Sequence, residues 1–380
     1  MTLYESATYK RLLLKEAERL DKESFKDKRV LITGGTGMVG SFITDILLFA
    51  DESFGLGTEV TVTTRHIEKA VRRFAGCPAK DMLKAVEWDA AHMKSAEGLK
   101  SAEELKSVAE QNPAAKDLRA VTDAHYDFYI HCASTTHPKA YSIEPIATMT
   151  ANLFGAYALL EAAARDKGSR LAFLSSVEVY GENKAGEGDF AEKDMGYIDC
   201  NTLRAGYPEA KRAGEALCMA YAEEKGCDTV IPRLARTYGP TQLSSDTKAV
   251  SQFIKKALNR EDIVLKSSGT QTYSYCFVAD AASAVLHLLA HGRSNEAVNV
   301  LSPDSDISLK ALSEKLAGLS GKKVIYEIPE ETEKKGYSTA TRATLSGELL
   351  RERGFDAGYT IDEGMKLTLK ILDEIGGYTV

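Results

Sequence analysis

The sequence predicts a doubly wound α/β fold, with helices on both faces of a parallel sheet, followed by a smaller mixed α/β lobe. Short apolar, β-branched runs alternate with stretches of helical periodicity over the first 240 residues, which is typical of parallel strands joined by crossover helices. A glycine-rich turn joins the first run to the helical stretch behind it. Beyond Pro240 the alternation becomes irregular, which indicates the second lobe.

Composition excludes several classes of protein. Of the 380 residues, 44% are hydrophobic and 27% are charged, the balance of a globular protein with a core. The net charge of −7 argues against nucleic acid or an anionic membrane as the main partner. The six cysteines show no CxxC pair and no zinc spacing, and no uncharged apolar run reaches the ~18 residues of a membrane helix. We therefore expect reduced thiols, no metal site and a cytoplasmic protein.

The chain is expected to have three parts. Residues 1–28 carry many charges and apolar residues at near-helical spacing, so we expect an amphipathic helix, not a signal peptide, docking on the main body or on a neighbouring subunit. Residues 29–240 carry the regular alternation, and residues 241–380 form most of the second lobe, interleaved with the first.

The elements follow from the same patterns. The expected strands of the first domain span 29–33, 59–64, 85–88, 127–132, 171–175 and 229–233, and its long helices span about 145–165 and 207–225. Helices are expected in the second lobe near 249–258, 279–291, 308–318 and 361–375.

The turn after the first strand carries glycines at three-residue spacing. Glycine permits a tight turn and lets the backbone approach a pyrophosphate, while the N-terminus of the following helix attracts anions. Because this turn stands between a strand and a helix, the pattern predicts a dinucleotide site. Its residues are Gly34, Thr36, Gly37, Met38, Val39 and Gly40.

Two further residues are expected to meet the adenosine half of a dinucleotide. The second strand ends at Thr63-Thr64-Arg65-His66, without the acidic residue that usually binds the ribose of NAD. Arg65 favours the 2′-phosphate of NADP, although it would equally suit a solvated loop. Asp89 could bind the adenine amine or cap a turn. The cofactor is therefore expected to be NAD or NADP, tightly bound, with a slight preference for NADP.

A tyrosine and a lysine four residues apart form a candidate acid/base pair. Helical spacing puts Tyr207 and Lys211 on one face, where the ammonium could lower the pKa of the phenol. Ser176 stands in the segment 174–181, at the carboxyl end of a preceding strand. Doubly wound sheets bind their ligands at that edge.

Taken together, these motifs resemble the extended short-chain dehydrogenases/reductases of the NAD-dependent epimerase/dehydratase family, which modify nucleotide sugars. The resemblance covers roughly residues 28–299. It includes Ala133-Ser134 after the fourth strand and a late segment similar to R-x-x-N-x-YGP. It implies a Rossmann-type domain, a catalytic triad of Ser176, Tyr207 and Lys211, and cofactor contacts from Ala133, Ser134, Tyr207 and Lys211.

The same resemblance implies a homodimer in which the two long helices pair with their copies as a four-helix bundle. Both helices carry small and apolar faces that would suit this burial, although these faces could equally pack on their own core. The residues concerned are Ala156, Leu159, Leu160, Ala163, Ala213, Leu217, Ala220 and Tyr221.

Two stretches are similar to UDP-glucuronate decarboxylases in particular. They are residues 133–155, which include Thr136, and residues 269–280. Glu178 stands where decarboxylases and sugar 4,6-dehydratases hold a catalytic glutamate. The dehydratases carry an Asp just before it as a general acid, and this chain has Val177. Without that acid, a C6 hydroxyl is harder to expel.

Departures from the decarboxylase pattern alter the expected substrate site. The arginine after Gln-Thr is replaced by Tyr273, the one after YGP by Thr241, and the Asn before YGP by Arg236. Arginines at such places would grip a diphosphate. Arg236 could take over part of the lost charge or pair with a nearby carboxylate. Thr136, Arg236 and Tyr273 are expected to contact the substrate.

These inferences predict an NAD(P)-dependent enzyme that oxidises a nucleotide sugar at C4 and then acts at C5 or C6, as a decarboxylase or a dehydratase does. The alternatives are a C4 epimerase or a net reductase on a sugar or non-sugar substrate, neither of which needs Glu178. A non-catalytic, cofactor-binding regulatory protein is a third, against which the intact triad argues. His131 and His137 lack a third metal ligand and are expected to line a turn or the pocket, and Cys132 to be a small core residue.

Overall fold

The computed structural model describes residues 1–92, 124–134, 136, 143–182, 188–327 and 341–378. The strands are β1 (Arg29–Thr33), β2 (Glu59–Thr64), β3 (Leu83–Glu87), β4 (Phe128–His131), β5 (Arg170–Phe173), β6 (Ser175–Ser176), β7 (Asp228–Leu234), β8 (Arg236–Tyr238), β9 (Ile263–Leu265), β10 (Thr272–Phe277), β11 (Glu296–Val300), β12 (Asp306–Ser308), β13 (Val324–Tyr326) and β14 (Arg342–Ala343).

Helices of very different length lie between these strands. They are α1 (Ala7–Arg19), α2 (Lys22–Phe25), α3 (Met38–Phe54), α4 (Ile67–Arg73), α5 (Pro145–Arg165), α6 (Gly206–Lys225), α7 (Ala249–Leu258), α8 (Val278–His291), α9 (Leu309–Ser320), α10 (Glu348–Glu352) and α11 (Ile361–Glu374). Across the described ranges, no helix combines the length and the apolar character needed to cross a bilayer.

The main sheet has the order β3-β2-β1-β4-β5-β7-β11, with β6 beside β7, and every pair in it is parallel. Strands buried on both faces are largely apolar, and β1, with the sequence RVLIT, is apolar at its three central positions. The strand order reverses between β1 and β4, and ligands of such sheets bind in the crevice at that point. The predicted doubly wound α/β fold is confirmed.

A smaller sheet continues directly from the main one. β8 follows β7 after one residue and pairs in parallel with β10, which also pairs with β12 and β14. In this register Tyr275 lies opposite Arg236. The connection brings residues of the C-terminal lobe to the carboxyl edge of the main sheet.

The N-terminal segment packs on the chain's own body. The Tyr9 hydroxyl donates to Asp45 of α3, which also pairs with Arg73 of α4 in the interior. About two turns further along α1, buried Glu16 accepts a hydrogen bond of 2.7 Å from Ser283 of α8. A buried ion pair is costly unless its partners are all in place, so these contacts fix α1 against α3 and α8.

The two long helices bury only part of the faces expected to meet a second copy. α5 lies along the sheet, and most of those side chains lie in the chain's own core, namely Ala156, Leu159, Leu160, Ala163 and Tyr221. The structure thus packs these side chains on the chain's own core, which was the second of the two possibilities. Ala213 and Ala220 remain exposed on α6. The exposed apolar side chains of α5 are Ile146, Met149, Phe154 and Tyr157.

Candidate active site

The glycine turn packs directly against the segment that follows β4. Gly34 has a φ of +65°, and a Cβ there would lie 2.8 Å from the Cα of Ala133. A Cβ on Gly40 would lie 2.7 Å from the Gly34 carbonyl oxygen. Only glycine satisfies both the left-handed backbone and these contacts. Gly37 caps the N-terminus of α3, so the turn presents backbone N–H groups at the crevice between β1 and β4.

Polar groups at the crevice fit a dinucleotide. The Ala133 N–H donates to the Thr33 hydroxyl, which is also 2.8 Å from Nδ1 of His131. The buried Ser134 hydroxyl has no hydrogen-bond partner among the described residues. Buried hydroxyls normally have one, so Ser134 and the glycine cradle fit a bound cofactor.

The predicted adenosine contacts lie at the ends of β2 and β3. The hydroxyls of Thr36 and Thr64 are 3.3 Å apart, which places the glycine turn beside the carboxyl end of β2. Arg65 follows and is exposed. Asp89 accepts a hydrogen bond of 3.0 Å from the Ala91 N–H, so its carboxylate caps a short turn in this structure.

Tyr207, Lys211 and Ser176 are brought together at the carboxyl edge of the sheet. Lys211 is buried, with its Nζ 5.8 Å from the centre of the Tyr207 ring and donating to the Leu174 carbonyl at 2.6 Å. Ser176 ends β6 and caps the turn Val177–Tyr180. The triad implied by the resemblance is therefore one spatial cluster.

The electrostatics differ from the sequence-based expectation. Burial raises the pKa of the Tyr207 phenol, a hydrogen bond with Ser176 lowers it, and the Glu178 charge raises it again. Burial lowers the pKa of Lys211 to about 8. Lys211 is not among the groups that shift the pKa of the phenol in this structure, and its ammonium donates to the Leu174 carbonyl.

Glu178 lies between two arginines. Its carboxylate oxygens are 3.3 and 3.5 Å from Nη2 of Arg204, and one of them is 3.6 Å from Nη2 of Arg236. Its N–H donates to the Ser176 hydroxyl at 3.3 Å. Arg236 thus pairs with a carboxylate, one of its two predicted roles. Its guanidinium lies 3.8 Å from the centre of the Tyr273 ring.

A buried ion pair supports the floor of the site. Glu215 of α6 and Arg233 of β7 are joined by hydrogen bonds of 3.0 and 2.6 Å. Ser175 donates to Glu215, and Arg233 donates to the Tyr180 hydroxyl at 3.1 Å. These contacts fix the chain on both sides of Ser176.

Two residues of the site were not anticipated from the sequence. Arg204 lies in the short turn Leu203–Ala205 that leads into α6, three residues before Tyr207. A basic residue so close to the start of that helix was the available signal. Lys248 precedes α7, with its ammonium 3.4 Å from the Thr136 hydroxyl and 3.2 Å from Asp246. No motif marks Lys248. It brings a cation to the segment that follows β4.

The remaining sequence-based predictions concern His131, Cys132, His137 and Thr241. His131 is fully buried in β4, and burial together with the Lys211 charge lowers its pKa to about 3. Burial raises the pKa of the Cys132 thiol to about 12. His137 lies outside the described residues. Thr241 donates to the Met38 carbonyl at 2.9 Å. In the described part of the chain, no cluster of three or more His, Cys, Asp or Glu side chains could hold a metal.

Comparison with known proteins agrees with this arrangement. The sequence profile of the NAD dependent epimerase/dehydratase family matches residues 30–300. UDP-glucuronic acid decarboxylase 1 of Xenopus tropicalis is 29% identical over 296 residues, which are 77% of this chain and 61% of that protein. UDP-glucuronic acid decarboxylase 5 of Arabidopsis thaliana is 27% identical over 339 residues, 89% of this chain and 87% of that protein.

Solved structures share the fold at lower identity. A UDP-glucose 4-epimerase of Thermotoga maritima with UDP-glucose superposes with a TM-score of 0.68 at 20% identity, covering 91% of this chain and 99% of that one. A dTDP-glucose 4,6-dehydratase of Streptomyces venezuelae with NAD bound superposes with a TM-score of 0.70 at 21% identity, covering 91% and 97%.

Proposed function

The chain belongs to the NAD dependent epimerase/dehydratase family and is an enzyme of the extended short-chain dehydrogenase/reductase type, and on this premise we propose that it decarboxylates a nucleotide-linked uronic acid. One observation carries the proposal. The Glu178 N–H donates to the Ser176 hydroxyl, and the Glu178 charge raises the pKa of the Tyr207 phenol, so a further proton-transfer group lies beside the residues expected to oxidise C4. A carboxylate at this place fits a proton transfer at C5 of the same sugar, the step that decarboxylation needs after C4 oxidation.

The first half of the proposed reaction is oxidation at C4 of the sugar. Tyr207 takes the proton of the C4 hydroxyl, and Ser176 donates a hydrogen bond to the oxygen as it becomes a carbonyl. Lys211 lies behind the phenol and stabilises its ionised form. A nicotinamide cofactor held by the glycine turn and Ser134 would supply the redox chemistry as a reversible hydride acceptor.

The second half follows from the chemistry of the 4-keto sugar. A ketone at C4 makes a C6 carboxylate a β-keto acid, so the C5–C6 bond breaks and carbon dioxide leaves. The bonding electrons pass into an enolate at C4 and C5, and Glu178 relays a solvent proton to C5. Return of a hydride to C4, together with the proton that Tyr207 took from it in the first half, would restore the C4 hydroxyl. Val177 in place of an acid disfavours the loss of a C6 hydroxyl, which dehydration would need.

Two further contacts complete the proposed ligand site. Lys248 beside Thr136 provides a cation for the diphosphate. Exposed Arg65 at the end of β2, with no acidic residue for a ribose 2′-hydroxyl, favours NADP over NAD. Mass spectrometry of the dinucleotide released on denaturation distinguishes the two, and NAD alone would contradict the role given to Arg65.

The proposed assembly is a homodimer formed through α5 and α6. The exposed apolar side chains of α5 adjoin α6 through the contact between the rings of Tyr157 and Tyr221, and Ala213 and Ala220 are also exposed on α6. Burying it against a copy would produce the four-helix bundle that the family resemblance implies.

The test uses UDP-glucuronic acid with the purified protein. We expect carbon dioxide and a UDP-pentose by NMR, with one solvent deuterium at C5 in heavy water. UDP-galacturonic acid as the only product would instead favour a C4 epimerase, and recovery of unchanged substrate would contradict both.

Glu178→Gln examines the second half separately. Hydride leaves C4 without the help of this carboxylate, so the variant should still reduce its bound cofactor in a single turnover and then accumulate a 4-keto species. Completion of the cycle at the wild-type rate would show that Glu178 has no part in C5 chemistry.

A further inference from the structure

Four side chains from four separate segments converge beside the reacting groups. Glu178 comes from the turn after β6, Arg204 from the turn before α6, Arg236 from β8 and Tyr273 from β10. Arg204 and Arg236 approach the carboxylate of Glu178 from two directions, at 3.3 and 3.6 Å. The three charged side chains are each about one-fifth exposed, so they face an open cleft.

Tyr273 holds the position of Arg236. The guanidinium carbon lies 3.8 Å from the centre of the Tyr273 ring, a distance typical of a cation–π contact. The register of β8 and β10 pairs Arg236 with Tyr275, which puts Tyr273 at the diagonal position on the same face. Tyr273 itself is buried. The ring therefore restricts the guanidinium to the side on which Glu178 lies.

Ion pairs of 3.3 and 3.6 Å that are partly open to solvent contribute modestly to stability, so their main effect is on orientation. An unrestrained glutamate side chain has three rotatable bonds and would sample the whole cleft. Two guanidinium groups from separate segments limit that freedom. The pairs also leave Ser176 and Tyr207 free of competition from Glu178 for the sugar hydroxyl.

We propose that Arg204 and Arg236 are positioning residues that hold Glu178 at the sugar, with Tyr273 fixing Arg236. This inference rests on the proposed function, because it concerns the step that Glu178 performs after C4 oxidation. In the alternative role, the arginines would bind the substrate directly, and their effect would not depend on Glu178.

A double-mutant cycle separates these two roles. The variants are Arg204→Gln, Arg236→Gln, Glu178→Gln and the two arginine variants combined with Glu178→Gln, assayed with UDP-glucuronic acid. We expect each arginine variant to lower kcat ~10- to 100-fold, since misplacing a catalytic group costs this much. KM should stay within about threefold, and reduction of the bound cofactor in a single turnover should be unaffected. In the Glu178→Gln background, removing either arginine should lower kcat no further.

The opposite results overturn the proposal. A large rise in KM at unchanged kcat would show that the arginines bind substrate, and multiplying losses in the double variants would show that they act without Glu178. Arg293→Gln is the matched control, since Arg293 is exposed at the amino edge of the sheet, before β11. Unchanged retention of dinucleotide by every variant verifies the fold. A wild-type protein inactive on UDP-glucuronic acid would refute the proposed function and this inference together.

Tyr273 gives an independent test. Tyr273→Phe keeps the ring and should retain kcat within about threefold, whereas Tyr273→Ala should lower it as far as Arg236→Gln does. Equal losses in the two Tyr273 variants would show that the hydroxyl matters and the ring does not. Wild-type kcat in both would show that Arg236 needs no such support.

Discussion

Lys211 lies at the bottom of the site, 2% exposed. Burial lowers its pKa from 10.5 to about 8, so in the folded protein the ammonium is less favoured than in the unfolded chain. As the pH falls from 10.5 towards 8, the unfolded chain takes up this proton before the folded one does. Stability is therefore lost over that window and is not regained below it. The shift corresponds to roughly 3 kcal/mol.

The prediction for Lys211→Met is a loss of turnover together with a gain in stability. Turnover should fall ~10²- to 10⁴-fold, because the phenol of Tyr207 loses the charge that stabilises its ionised form. The variant should gain stability relative to the wild type at pH 7, by a margin that shrinks as the pH approaches 10.5. Denaturant unfolding of both proteins at pH 7 and pH 10 measures it. A difference that does not change with pH would contradict the buried cation.

The sequence could predict the candidate catalytic residues but not all of their neighbours. Ser176, Glu178 and Tyr207 follow a strand or begin a helix at recognisable motifs, so their meeting at one sheet edge is dictated by the topology. Arg204 and Lys248 approach through turns whose course depends on tertiary packing. Lys211 lies near the Tyr207 ring, as helical spacing predicts, but the spacing could not show that its ammonium donates to the Leu174 carbonyl.

At the scale of elements, α3 shows how glycines set the boundaries of a helix. Gly37 caps its N-terminus, and Gly55 ends it in the left-handed conformation with a φ of +64°. Gly34 has nearly the same φ, +65°, but is crowded by Ala133, whereas a Cβ on Gly55 would meet nothing within 4 Å. The two glycines therefore share a conformation and differ in their surroundings.

Gly34→Ala and Gly55→Ala form a matched pair. Both substitutions strain the backbone, at a cost of about 1 to 3 kcal/mol each. Gly34→Ala should cost more and should also release the dinucleotide, because its Cβ pushes Ala133 away from the turn. Thermal unfolding and the amount of dinucleotide retained after gel filtration measure the two effects. Equal stability and equal retention in both variants would mean that the turn does not depend on its contact with Ala133.

The sequence predicted most of the helices and strands, but it predicted less well which elements pack against each other. α5 runs over the predicted range, because Pro145 begins it and small apolar residues maintain its period. The docking of α1 required Asp45 and Arg73, which lie far apart in the sequence and meet Tyr9 only in the folded chain. Periodicity shows that a helix is amphipathic, but not which surface covers it.

At the scale of the whole molecule, one apolar surface remains uncovered within the described residues. Ile146 and Tyr157 of α5 are 77% and 46% exposed. They are about three helical turns apart and therefore lie on the same face of the helix. The Tyr157 ring also lies 6.2 Å from that of Tyr221, so the surface continues across α6. Large apolar patches on a folded chain usually mark an interface. Two such helices from each of two copies would form a four-helix bundle.

The wild-type protein should therefore have twice the mass of the chain in light scattering at micromolar concentration. Ile146→Glu with Tyr157→Glu places charges where the copies would meet, and should give a monomer that keeps its dinucleotide, because neither residue lines the cofactor crevice. Val71→Glu is the control, since Val71 is 66% exposed on α4 and away from α5 and α6. A wild-type monomer would refute the dimer, and a double variant that stays dimeric would move the interface to another surface. If the wild type, the double variant and Val71→Glu were all monomers, the exposed face of α5 would be apolar surface open to solvent. Burial of Leu159 and Leu160 in the core would then explain the apolar periodicity of that helix.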